Sequence, residues 1–167
     1  DPDEATVKSL SFDQYGVVHF AAHAQVDERH PERSAVLLAP GERDDGLLQA
    51  REIYRLSLAV GMVVVSSCRS GGGAQFPSEG LAGLPHAFLA SGARSVVSTL
   101  WDVTDEGSAE VMSVFYDELA DRPLADALAA AQRRLIRSDR WSAPVHWAGY
   151  ALHGDGGQRI PIRRSFG

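Results

Sequence analysis

The 167-residue chain predicts an α/β domain, with a mostly parallel sheet covered by helices on both faces. Three observations predict it. The run Met-Val-Val-Val-Ser at 62–66 is almost continuously apolar and β-branched, as expected of a strand buried on both sides. Two later segments carry helical stripes: Val111, Met112, Phe115, Tyr116 and Leu119, then Leu124, Leu128, Ala131 and Leu135. Strand-like and helix-like runs also alternate along the chain, which feeds parallel strands through helical crossovers.

The elements are expected in this order. Residues 17–22 and 35–39 read as strands, 48–56 as a helix and 62–66 as the central strand. A Gly-rich loop follows over 69–78. A helical stretch then ends at Ser91, with Gly92 placed just past its end and Pro85 at its start or at a kink. Residues 95–100 read as a second buried strand. Asp102, Thr104 and Asp105 offer capping chemistry before the first striped helix, and Pro123 suits the first turn of the second. Residues 147–152 read as a last strand, 155–157 break the pattern, and the tail after Ile160 is basic.

Composition narrows the function. Hydrophobic residues make up 44% and charged residues 23%, enough for a packed core. A net charge of −6 argues against nucleic-acid or anionic-membrane partners, both of which require basic patches. No apolar run is long enough to span a bilayer, and no signal-peptide pattern is visible in the opening residues. Cys68 is the only cysteine, so no internal disulfide forms and a reducing cytoplasm is the expected compartment.

In an open parallel sheet, sites form at the carboxyl ends of strands. His23 closes the run Val-Val-His-Phe-Ala-Ala-His, and Cys68 closes Val-Val-Val-Ser-Ser-Cys before Arg-Ser-Gly-Gly-Gly. If the two strands are neighbours, imidazole and thiol meet above one edge as an activated nucleophile. The competing readings are a buried, inert cysteine and a structural histidine. A metal site of His19, His23 and Cys68 fails on geometry. Four residues of strand span about 13 Å, whereas ligand bonds are about 2 Å. His19 is read instead as a core histidine that orients its neighbours. Other chemistries fail at the motif level: no Cys-x-x-Cys exists, Ala74 stands where a phosphatase loop needs Arg, and no Lys follows the glycines. Ser66 occupies the first Gly of a hydrolase elbow. Glu79, Asp102 and Asp105 fall in loops on the same predicted edge, either as solvated or capping carboxylates or as an acidic pocket for a basic side chain.

These pieces together resemble the CHAT domain, a caspase-like cysteine peptidase family related to separase. The similar blocks run in order: His-Phe-Ala-Ala-His at 19–23, Val-Val-Ser-Ser-Cys-Arg-Ser-Gly at 64–71, and the long segment from Glu79 to Val97. Leu-Trp-Asp-Val-Thr-Asp at 100–105, Phe-Tyr at 115–116, Ala-Asp-Ala-Leu at 125–128 and Trp-Ala-Gly-Tyr at 147–150 complete the pattern. The resemblance implies a caspase-like three-layer α/β/α sandwich over residues 1–154, followed by a basic tail at 155–167. Family members often have more sequence before the histidine block, which leaves room for a missing N-terminal portion. It implies a catalytic dyad of His23 and Cys68 and an oxyanion hole from the Ala24 and Cys68 amides. It also implies a pocket for a basic residue, falling on Asp105, Asp102 and Glu79. No cofactor or metal is implied. One departure is Ala24, where the family usually has Gly; if that position needs positive φ, strain of about 1 kcal/mol follows. The expected partners are a protein or peptide substrate and regulatory modules or an effector. Two rivals to an active endopeptidase are a catalytically silent interaction domain and a protease gated through the Gly-rich loop. A phosphate-binding module, resting on the glycines alone, is more distant.

Overall fold

The computed structural model describes residues 3–27, 29–42, 44–66, 83–101 and 103–161. In chain order the first half holds α1 (Glu4–Ser9), β1 (Val17–Phe20), β2 (Ala24–Gln25), β3 (Ala35–Leu37), β4 (Leu47–Gln49), α2 (Ala50–Ile53) and β5 (Met62–Val65). The second half holds α3 (Gly83–Ala90), β6 (Ser95–Thr99), α4 (Asp105–Leu119), α5 (Leu124–Ile136), α6 (Pro144–Trp147) and β7 (Tyr150–Gly154).

Among the described residues the central sheet has the order β1-β5-β6-β7, and a smaller sheet has the order β2-β3-β4. The two neighbours β1 and β5 are parallel, as are β5 and β6, while β7 returns antiparallel to β6. The architecture is the expected one: mixed α/β, with a mostly parallel central sheet and helices, consistent with a caspase-like α/β/α fold.

The pleat of β5 explains why its sequence is apolar throughout. Met62 and Val64 enter one core with Phe115 of α4 and Leu128 of α5. Val63 and Val65 enter the other, with Phe88 of α3, Ile53 of α2 and Leu48 of β4. The striped helices bury the predicted faces: Val111, Phe115, Leu119, Leu124, Ala131 and Leu135 are all buried. Thr104 caps α4, its hydroxyl accepting from the Gly107 amide at 3.2 Å, and Asp105 and Glu106 place negative charge in the first turn. Gly92 closes α3 at φ 112°, where a Cβ would lie 2.8 Å from the Leu58 carbonyl oxygen.

Three expectations need correction. The segment 48–56 is not one helix: Leu47–Gln49 forms a strand against β3, with Leu48 opposite Val36, and only Ala50–Ile53 is helical. The last strand begins at Tyr150 rather than 147, because Pro144 starts a short helix that runs to Trp147. β1 ends at Phe20, so His23 lies three positions beyond the strand. The residues after 161 lie outside the described set.

The sequence also gave no sign of a charged knot at the edge of the molecule. Lys8 donates to Glu4 at 2.6 Å, Glu52 at 2.8 Å and Asp44 at 2.9 Å, and the buried Glu4 also accepts from the Gly46 amide at 2.9 Å. Burial pulls the Lys8 ammonium down, but the three carboxylates outweigh it and raise its pKa overall. No helix among the described residues is long and apolar enough to cross a membrane.

Candidate active site

A cleft of about 880 Å³ opens at the carboxyl end of β1 and β5. Its described walls include His19, His23, Ser66, Asp105, Ser108 and Met112, together with residues 20–22 and 37–39. It therefore stands where parallel sheets place their sites, above two hydrogen-bonded neighbouring strands. The condition set for a meeting of the histidine and cysteine blocks, adjacency of their strands, is met.

His23 follows β1 after two residues, Ala21 and Ala22, and is exposed. The small sheet holds its backbone: the Leu37 amide donates to the His23 carbonyl at 2.7 Å. Bonded and unbonded pairs alternate along an antiparallel ladder, so the next pair, Ala24 with Val36, is unbonded. The Ala24 amide is thereby turned away from β3. Ala24 is extended, and among the described residues only glycines take positive φ. The strain expected of Ala24 at that position does not arise.

Asp105 is the first residue of α4 and lines the same cleft as His23, on its exposed side. The capping duty that competed for it belongs to Thr104. Three predicted site residues, Cys68, Asp102 and Glu79, lie outside the described residues.

The sequence did not foresee the hydrogen-bonded core of the cleft. His19 Nε2 lies 2.8 Å from Ser66 Oγ, and its Nδ1 lies 3.0 Å from the Tyr116 hydroxyl. Tyr116 also packs on the His19 ring, with centroids 5.8 Å apart. The His19 side chain is exposed in part, yet both ring nitrogens are engaged by hydroxyls, and partial burial pushes its pKa down. Burial pushes the Tyr116 phenol up to about 12, so it stays protonated. A neutral imidazole offers one donor and one acceptor, and a hydroxyl can fill either role, so both bonds form at once. Periodicity contained the signal. His19 opposes Val64 in the β1–β5 register, and Ser66 is the next residue of β5's direction on that face, the face that α4 covers.

A family model of the CHAT domain matches residues 2–155. Two curated proteins are similar over 109 residues, 65% of this chain: Tetratricopeptide repeat protein 28 of Mus musculus at 35% identity and its Homo sapiens counterpart at 32%. The chain spans about 4% of the length of these relatives.

Proposed function

The chain belongs to the CHAT domain family, and from that premise we propose that it is a cysteine endopeptidase whose dyad is His23 and Cys68. The supporting observation is the cleft above β1 and β5. His23 and Asp105 line it together, and Cys68 follows the last residue of β5 by three positions. His23 takes the thiol proton and the thiolate attacks the peptide carbonyl carbon. The C–N bond breaks as the imidazolium returns its proton to the leaving amine. Water then adds to the thioester, releasing the acid and restoring the thiol. The Ala24 and Cys68 amides stabilise the oxyanion, each such donor being worth about 3 kcal/mol. Asp105, with Asp102 and Glu79, favours a basic residue before the cut. The chemistry needs a reduced thiol, which fits the cytoplasm, and it uses no cofactor. Regulation by flanking modules or a partner fits relatives in which the matched segment is a small part of a far longer chain.

That last fact also favours a second reading, a catalytically silent interaction domain. The two separate by intact-mass labelling with an electrophilic peptide carrying Arg at its recognition position. Labelling should vanish in Cys68→Ala and slow about 100-fold or more in His23→Ala. Asp105→Asn should weaken basic probes selectively. Undiminished cleavage in Cys68→Ala ends the peptidase reading. Labelling that ignores His23 marks an ordinary exposed thiol. No labelling, with or without the flanking regions, favours the silent domain.

A further inference from the structure

We propose that His19 is a positioning residue for this site: by bridging Ser66 and Tyr116 it locks the end of β1 to the end of β5 and to α4. It thereby sets where the His23 segment stands. This inference rests on the dyad reading for its catalytic meaning, but the clamp itself is a matter of the described geometry.

Four observations carry it. First, the bridge spans three separate elements: His19 in β1, Ser66 just past β5 and Tyr116 in α4. Its two bonds, 2.8 and 3.0 Å, are of ordinary strength geometry. Second, it stands where the ladder stops. The last paired residues are Phe20 and Val65, so among the described residues no β1–β5 backbone pairing fixes the spacing of the two chains beyond them. The His19–Ser66 bond is the next tie. Third, the anchored positions adjoin the proposed dyad in sequence: His19 precedes His23 by four residues, and Ser66 precedes Cys68 by two. Fourth, the anchor is sheltered at one end, Ser66 being 8% exposed, so the hydroxyl is held in place to meet the imidazole.

His19 is not needed to hold the sheet together, since β1 is already bonded to β5 over 17–20. It is also not placed to attack a substrate, because both its nitrogens are engaged. Its effect must therefore act through the placement of other groups. An error of about 1 Å in such a placement can cost about 100-fold in rate.

The test compares the full chain with His19→Ala, His19→Gln, Ser66→Ala and Tyr116→Phe. Labelling by the Arg-bearing electrophile is resolved into probe affinity and maximal rate, and melting is followed beside it. The expected result is a maximal rate lower by about 100-fold in His19→Ala, with probe affinity unchanged. Ser66→Ala and Tyr116→Phe should each lose less. His19→Gln, whose amide can still meet Ser66, should recover part of the rate. Amide exchange at residues 21–25 should quicken in His19→Ala even though the β5–β6 amides stay protected. Wild-type rate and wild-type exchange in His19→Ala overturn the proposal, as does a loss that simply follows lowered melting in all four variants. Failure of the dyad reading is distinguishable: the wild type would not label at Cys68, while the exchange comparison would still show the clamp present or absent.

Discussion

The two faces of the central sheet are built on different principles. One face is covered by α4 and α5, fifteen and thirteen residues long, which bury continuous apolar stripes against Met62, Val64 and Val97. The other is covered by short pieces: α1 of six residues, α2 of four, α3 of eight and the strands β2 to β4. Helices of four to six residues are not stable alone, so these pieces depend on one another, and the Lys8 knot joins α1, α2 and the approach to β4 by charge. The difference teaches that the same sheet can be closed by packing on one side and by packing plus polar ties on the other. The cleft lies at their seam, taking Asp105 and Met112 from the long-helix side and 37–39 from the other.

The largest expected effect tests the packed face. Phe115 is fully buried among α4, α5 and the sheet, and Phe115→Ala should cost about 4 kcal/mol in urea unfolding, with little dependence on salt. Next in size is the charged knot. Lys8→Ala strips Glu4, 1% exposed, of its cation and should cost about 2–3 kcal/mol. Because Lys8 also ties α1 to α2, amide exchange should quicken over 4–9 and 50–53 first, leaving α4 and α5 protected. The exposed pair Arg140–Glu106 is the control: Arg140→Ala should change stability by less than about 1 kcal/mol. A loss in Lys8→Ala no larger than in Arg140→Ala would erase the contrast between the faces.

The same contrast decides what the sequence could say. The stripes of α4 and α5 were legible because a long helix repeats its buried face several times, as Val111, Phe115 and Leu119 do. The strand at 62–65 was legible because burial on both sides leaves no polar residue in it. The short-element face was not. Leu48 and Gln49 read as the start of a helix on local pattern, and only the pairing of Leu47–Gln49 with β3, Leu48 opposite Val36, makes the segment a strand. The pairing partner lies a dozen residues away, beyond any local window. The site divided likewise. The strand-end rule placed His23 and Asp105 at one cleft. His19 was expected as a core histidine, whereas its side chain is exposed in part, and its partners were not legible: Ser66 is set by the β1–β5 register and Tyr116 by the docking of α4, nearly a hundred residues on in the chain.

The smallest effect sharpens the comparison with one histidine from each face. His19 bonds Ser66 on the α4 side, and His153 Nε2 lies 3.2 Å from Ser98 Oγ on the opposite side, since Ser98 and Val96 share a face of β6. Burial lowers the pKa of both imidazoles in the folded chain. An unfolded histidine titrates at about 6.5. Above that pH both states are neutral and the two residues contribute no pH dependence. As pH falls below it, the unfolded chain takes up protons that the folded chain resists, so stability falls with falling pH. The fall levels off once the folded-state pKa values are passed. Urea unfolding between pH 7.5 and 5, a range in which ordinary carboxylates stay ionised, should show this decline. His153→Gln should remove one share of it and His19→Gln the other, additively, because the two pairs lie on opposite faces and share no partner. A decline unchanged in both variants would assign it elsewhere. A strongly non-additive pair would show that the two faces communicate through the sheet between them.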